Sequence, residues 1–321
     1  MTNIIIEKIE EYNKIVILRH QRPDGDCIGS SLGLREIIKN SYPEKDVKVY
    51  ADDYAKDLNF ISSEDNREDI DKYDESLIII VDTANLERVS NSINIENNYI
   101  IKIDHHPNEQ PYGMINYVID ELSSTCELIV KIVEESNNKL KLNQKAAQLL
   151  YMGMVTDTGR FKFSVDEETM KRAGRLLSYG IDLERLYANL YLKDFNMYKL
   201  QGEVYRKMKI SKNGVAYIYV TKEMQEKVGL TPNEASLVVS SLDSIKGSLI
   251  WIAFIDNTDG TIRVRLRSRF LEINDIATKY RGGGHSRASG ATLNGKEEIK
   301  RLISDCDKKL KKFKEEKTGW L

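Results

Sequence analysis

The chain has 321 residues, with 48 Lys and Arg against 50 Asp and Glu, a formal net charge of −2. That balance excludes bulk binding to long duplexes through a broad basic surface, and leaves room for a local basic groove that takes a short or single strand. Hydrophobic residues make up 41% of the chain, enough for real cores, and the length suits two domains of ordinary size.

The N-terminal MTNIIIEKIEEY begins amphipathic and acidic, unlike a secretion signal, and no apolar run approaches a membrane span. A soluble, cytoplasmic protein with no membrane partner is expected. The first strong element is an uninterrupted β-branched run at 15–18, read as a strand buried on both faces. It empties into a loop with His20, Asp24 and Asp26, and a helix follows over 28–39. Further strands are predicted at 46–50 (DVKVY), 77–81 (LIIIV, ending in Asp82) and 99–103 (YIIKI, ending in Asp104-His105-His106). Helices then dominate, from Ser124/Thr125 to about 135, from the cap Asn143 to about 155, and from the cap Asp166 to 178. This order implies a mostly parallel sheet with right-handed crossovers.

A charged, Tyr- and Leu-rich stretch from 182 to about 200 reads as one helix joining two domains. Hairpin-like strands are expected beyond it, at 205–211 and 215–221 around Asn213-Gly214, and at 249–255 and 261–268 around Asp259-Gly260. A helix over 232–242 lies between the two pairs. A short helix at 274–279, the stretch Gly282-Gly283-Gly284-His285 and a charged amphipathic helix over 297–317 complete the chain. The domains are therefore read as 1–181, a linking helix over 182–202, and 203–321. The cysteines Cys27, Cys126 and Cys306 are odd in number, far apart and without metal-type spacing, so no disulfide framework is implied.

All four histidines (His20, His105, His106 and His285) fall in Asp- or Gly-rich turns beside strand or helix ends. Asp24 and Asp26 are separated only by Gly25, which lets the backbone turn tightly and aim both carboxylates into one site. Asp157 follows the apolar helix end at 149–155. Each aspartate alone reads as a turn or cap residue. As a set, four acids and three imidazoles converge on the carboxyl edge of one sheet, where α/β proteins bind ligands. Such donors suit Mn²⁺ or Mg²⁺ more than a thiolate metal. Two cations about 3.5–4 Å apart would clamp a phosphoryl group and lower the pKa of a shared water toward about 7. Asp82, at the end of a central strand, is the natural bridge between them.

The ordered motifs RPDGD, VDTAN, IDHHP, GMVTDTGRF and GGGHSRASGA resemble those of DHH-family phosphoesterases with their C-terminal DHH-associated domain. The compact length most resembles the NrnA-type bifunctional oligoribonucleases of that family. The resemblance implies an α/β fold, a parallel-sheet domain with flanking helices plus a smaller α/β substrate-binding domain. It implies that His20, Asp24 and Asp82 hold one metal, and that Asp26, Asp82, His105 and Asp157 hold the second, with Mn²⁺ expected. It gives His106 the place facing the scissile phosphate, with Asp104 orienting its neighbours.

In the second domain, three glycines before His285 let backbone N–H groups approach an anion, and His285, Arg287 and Ser289 favour a phosphate cradle. Arg263, Arg265 and Arg267 alternate along one strand and share a face, and Arg265 and Arg267 are read as a phosphate clamp. Arg160 and Phe161 are candidates for meeting a phosphate or a base. The implied activity is hydrolysis of short oligoribonucleotides, about two to five nucleotides, to mononucleotides, and conversion of 3′-phosphoadenosine 5′-phosphate (pAp) to AMP. The alternatives are a phosphodiesterase for linear or cyclic dinucleotides and a single-strand DNA exonuclease. A homodimer is implied by the resemblance alone.

Overall fold

The computed structural model describes residues 1–53, 58, 60–61, 63–65, 75–90 and 98–316. The chain divides into two compact units, Met1–Tyr191 and Leu192–Leu321. Among the described residues, no helix is long and apolar enough to cross a membrane.

The first unit is built on five parallel strands: β1 Lys14–Leu18, β2 Asp46–Tyr50, β3 Leu77–Val81, β4 Tyr99–Asp104 and β5 Ile115–Val118. They lie in the order β2-β1-β3-β4-β5. Alternate residues of β1 enter opposite layers. Ile15 and Ile17 join the larger core with the helices, and Val16 and Leu18 pack with Tyr50, Ile78 and Ile80 on the other face. Each such side chain, wholly buried, contributes about 1.5–3 kcal/mol. Burial on both faces is why 15–18 in β1 and 77–81 in β3 read as unbroken apolar runs.

Helix α1 (Thr2–Glu11) precedes β1 and buries Ile5, Ile6 and Ile9. Helices α2 (Gly25–Ser41), α3 (Thr125–Glu134) and α4 (Gln144–Asp157) pack together on the larger core. Their close approach depends on Gly153 of α4. A Cβ there would lie 2.2 Å from the Cys126 Sγ of α3 and 3.0 Å from the Asp26 Oδ1 of α2. The missing side chain lets three helix ends carrying site residues meet. Helix α5 (Glu167–Leu177) opens on a capping box between Asp166 and Thr169.

The stretch expected to be one linking helix is two. Helix α6 (Leu183–Tyr191) belongs to the first unit and α7 (Phe195–Lys207) to the second. The break falls before Asp194, whose carboxylate caps α7 by accepting from the Asn196 N–H at 2.7 Å. Most of the strand expected over 205–211 is absorbed by α7, leaving a two-residue β6, Lys209–Ile210.

The second unit continues with β7 (Val215–Val220), α8 (Lys222–Val228), α9 (Pro232–Ala235), β8 (Ile250–Asp256), β9 (Ile262–Ser268), α10 (Asn274–Lys279), β10 (Gly283–His285), β11 (Ala288–Leu293) and α11 (Lys296–Glu316). The helix expected over 232–242 is α-helical only through Ala235 and tightens into a 3-10 helix over Ser236–Leu242. The helix expected to end at Lys317 is described to Glu316, and Lys317 lies outside the described residues. The sheet runs β10-β11-β9-β8-β7-β6, antiparallel except for the β7–β8 pair. Ile252, Phe254, Val264 and Leu266 face a core shared with α10 and α11, while Ala216, Ile218, Trp251 and Ala253 face one shared with α7, α8 and α9. The fold is thus mixed α/β, with a parallel five-stranded sheet followed by a second α/β domain.

Candidate metal centre

The first unit delivers its polar residues from strand ends and helix ends, where the chain leaves the core. His20 follows β1, Asp82 follows β3, and His105 and His106 follow Asp104 at the end of β4. Asp24 and Asp26 stand at the start of α2, and Asp157 is the last residue of α4. Asp24 caps α2 by accepting from the Cys27 N–H at 3.1 Å, so the cap reading and the ligand reading of this residue coincide. Asp26 is buried, and its two carboxylate oxygens accept from the Thr125 and Cys126 N–H groups at 2.8 and 2.9 Å, at the N-terminus of α3.

Asp82 has a backbone φ of +50°, a left-handed conformation that aspartate tolerates better than most residues and that recurs at functional sites. Its carboxylate faces two ways. Oδ2 lies 3.4 Å from His20 Nε2, and Oδ1 lies 3.7 Å from His105 Nε2 and 3.6 Å from His106 Nδ1. Around His105 Nε2, Asp157 Oδ2 stands at 3.4 Å and Asp26 Oδ2 at 3.8 Å. Asp24 Oδ1 is 3.9 Å from His20 Nε2, on a side chain that is 59% exposed, at the rim. The His20 and His105 imidazoles are each turned by the other nitrogen. His20 Nδ1 is 2.8 Å from the Gln21 carbonyl and His105 Nδ1 is 3.3 Å from the Leu122 carbonyl, which points Nε2 at the acids.

Three tight donor groups result: His20, Cys27 and Asp82; Asp82, His105 and His106; and Asp26, His105 and Asp157. In each, the donor atoms lie within 4.8 Å of one another. The structure therefore gathers His20, Asp26, Asp82, His105, His106 and Asp157, with Asp24 beside them.

The charge balance of the set is unfavourable by itself. Burial pushes the Asp82 carboxyl well above the ordinary range, reinforced by Asp26, Asp24, Asp104 and Asp157. Burial raises Asp157 to about 8, with Asp26 and Asp24 adding to it against the opposing pull of His105. His20 is held at about 9, because Cys27, Asp24 and the Gln21 carbonyl outweigh the burial that disfavours its charge. Carboxylates that drive one another toward protonation are relieved by a divalent cation among them, and oxygen with imidazole nitrogen is a donor set that holds one. The residues fit a pair of such ions.

His106 stands apart in its support. Its Nδ1 is 2.7 Å from Asp104 Oδ1, an oxygen that also accepts from the His106 N–H at 3.2 Å. Asp104 is fully buried, yet His106 and Lys102 outweigh the cost of burial and hold its carboxyl below the usual value. The Lys102 Nζ is 3.4 Å from Asp104 Oδ2 and donates to the Ala84 carbonyl at 2.8 Å. Sequence reasoning missed Lys102, although a lysine inside a buried strand was the signal. It also missed Cys27 as a neighbour of the acids, and the backing of Asp26 by the start of α3.

In the second unit, Arg263, Arg265 and Arg267 occupy one half-buried face of β9 between buried Ile262, Val264 and Leu266, as the alternation predicts. Arg267 Nη1 donates to the Leu266 and Ser289 carbonyls at 2.9 and 3.1 Å. Burial, with Arg265 beside it, lowers the Arg267 guanidinium to about 10. Gly283, Gly284 and His285 form an exposed strand rather than an open loop, pairing with Gly290, Ser289 and Ala288. The Ser289 hydroxyl donates to the His285 carbonyl at 2.8 Å. The pairing needs Gly282, because a Cβ there would lie 1.9 Å from the Gly290 carbonyl oxygen. Arg287 is exposed at the turn between the two strands. In the first unit, Arg160 and Phe161 both have positive φ, and the Arg160 guanidinium stacks 4.2 Å from the Tyr191 ring.

Residues 14–154 match the DHH family N-terminal domain, and residues 212–312 match the DHHA1 domain. The chain is 40% identical over 309 residues to the bifunctional oligoribonuclease and PAP phosphatase NrnA of Bacillus subtilis, covering 96% of this chain and 98% of that one. It is also 40% identical over 288 residues to a probable bifunctional oligoribonuclease and PAP phosphatase NrnA of Streptococcus mutans, covering 89% and 92%. The crystal structure of an exopolyphosphatase-related protein from Bacteroides fragilis superposes with a TM-score of 0.86 at 29% identity, covering 97% of this chain and 96% of that one. Motifs, fold, donor geometry and likeness over nearly the whole length agree: the chain belongs to the DHH family and carries a DHHA1 domain in its second half.

Proposed function

We propose that this chain is a two-metal phosphoesterase that cuts short oligoribonucleotides to mononucleotides and removes the 3′-phosphate of pAp. The observation that carries the reading is the Asp82 carboxylate, with one oxygen toward His20 and the other toward His105 and His106. The names of the Bacillus and Streptococcus relatives supply the substrates. His20, Asp24 and Asp82 would hold one cation, and Asp26, Asp82, His105 and Asp157 the other. The resemblance to the family makes Mn²⁺ the expected metal, and oxygen with imidazole nitrogen is a donor set that holds it, as it holds Mg²⁺. The cations, when bound, supply electrostatic stabilisation of the phosphoryl oxygens and a water of lowered pKa.

The chain's own residues do the rest. With Nδ1 engaged by Asp104, His106 meets the phosphate through Nε2, as a charge stabiliser or proton donor to the departing ribose oxygen. Asp104 fixes the ring and keeps it from turning, and His106 itself, with Lys102 behind, keeps Asp104 ionised. In this reading Arg265, Arg267, His285 and Ser289, with the glycines 282–284, are the substrate-binding residues of the second unit. Both substrates present a phosphate ester on a ribose 3′-oxygen, so one arrangement serves both. A cytoplasmic location and a homodimer belong to the same proposal and rest on resemblance.

The test is a substrate panel on metal-stripped protein with Mn²⁺ added back. Dinucleotide and pAp should be turned over at comparable rates and faster than a long single strand or cyclic di-AMP. Preference for the long strand, or turnover that persists in excess chelator, would sink this reading.

A further inference from the structure

We infer that Cys27 is a metal donor at the His20–Asp82 end of the centre, so that this end accepts a zinc-class cation through sulfur. The inference rests on the two-metal reading of the same site. Cys27 is wholly buried in the first turn of α2, and its side chain shares one tight donor group with His20 and Asp82. The three donor atoms lie within 4.8 Å of one another, and the His20 Nε2 to Asp82 Oδ2 edge is 3.4 Å. Nitrogen, oxygen and sulfur donors on one tetrahedral Zn²⁺ stand about 3.4–3.6 Å apart, so the His20–Asp82 edge already fits, and the sulfur, within 4.8 Å of both donors, closes on the ion as it binds. The thiol faces the His20 imidazole and lies 3.8 Å from the His20 carbonyl.

The other two donor groups contain only oxygen and nitrogen. The centre is therefore chemically uneven: one end is hard, the other carries a soft donor that selects zinc-class ions over Mn²⁺ or Mg²⁺. A thiol that meets such an ion loses its proton, which passes to solvent, and the sulfur binds as thiolate. Cys126 is the internal control. It is equally buried, but its Sγ lies 3.5 Å from the Asp26 carbonyl and it joins none of the three groups. Sequence spacing gave no hint of Cys27 as a ligand, because its partners come from β1 and β3.

Co²⁺ titration of stripped protein tests this without an activity assay. Wild-type protein should develop the near-ultraviolet charge-transfer band of a cobalt–thiolate bond. Cys27→Ala and Cys27→Ser should lose that band and keep the visible cobalt absorption, while Cys126→Ala should keep both. In chelator competition, Cys27→Ala should weaken Zn²⁺ at least about tenfold and leave Mn²⁺ within about twofold. Visible cobalt absorption with no charge-transfer band in the wild type, or a band that survives in Cys27→Ala, would overturn the sulfur donor and leave the two-metal reading standing. Absence of any bound cobalt would overturn both.

Discussion

The two units treat buried charge in opposite ways. The first collects Asp26, Asp82, Asp104 and Asp157 at one sheet edge, where Asp104 has Lys102 beside it and the others share the imidazoles of His20 and His105. The second lines β9 with arginines, and protein acceptors take up at least part of their capacity: Arg267 on the Leu266 and Ser289 carbonyls, Arg263 on Asn233. A guanidinium on a long stem can find a carbonyl or reach water. At Asp82 and Asp157 burial, reinforced by neighbouring carboxylates, raises the pKa instead. The contrast teaches that the acids of the first unit suit added cations, while the arginines of β9 find acceptors within the chain.

The sharpest way to break this comparison is Asp82→Asn. Losing the shared carboxylate should cut turnover at least about a thousandfold. The far-ultraviolet circular dichroism should be unchanged, because asparagine keeps the shape of Asp82 and an oxygen for the Thr125 hydroxyl, which donates to Oδ1 at 3.2 Å. Normal turnover in this variant would remove the reason for calling the site two-metal. In the second unit the matching test is steric. Gly282→Ala should cost about 1–3 kcal/mol in urea unfolding, as its Cβ meets the Gly290 carbonyl, whereas Gly283→Ala, with nothing within 4 Å, should stay within about 0.5 kcal/mol.

A smaller effect is expected from Arg267→Ala, a rise in KM of about tenfold with kcat within about twofold, measured on pAp. An equal fall in kcat would move Arg267 from binding to chemistry. The gentlest test is pH. In metal-free protein, Asp157 is raised to about 8 and His20 to about 9, so the folded state holds protons that the unfolded state has released. Stability should then fall as pH rises from about 5 to about 9, the carboxyl contributing from its unfolded pKa upward and the imidazole from about 6.5. Thermal melts across that range should show the decline, and added Mn²⁺ should reverse it most at the alkaline end. A flat profile would mean the acids are neutralised within the chain.

Much of the first unit was legible because its signals are local. A parallel strand buried on both faces is an unbroken apolar run, and β1 (from Ile15) and β3 announce themselves that way, while β4 does so apart from Lys102. The acids after them stand at an address that any open α/β sheet reserves for ligands. Short elements with weak patterns escaped: β5, with only Ile115 and Tyr117 buried, and β11, whose Ala-Ser-Gly-Ala run carries little strand signal. Helices α6 and α7 were merged because the cap at Asp194 was passed over in a helix-favouring stretch. The glycine stretch was expected as a loop, yet glycine there permits close strand pairing as well as an open turn.

By itself, then, the order of residues determined the two α/β units, the places where the chain leaves each core, and which residue types stand there, since hydrophobic period and turn chemistry act over a few residues. Only the tertiary structure decided which donors share a neighbourhood. It gave Asp82 an oxygen for each side, set Lys102 behind Asp104 and His106, and brought Cys27 beside His20 and Asp82. Those relations join residues from separate strands and helices, and their distances depend on how closely helices such as α2 and α4 can pack, which no spacing along a single chain records.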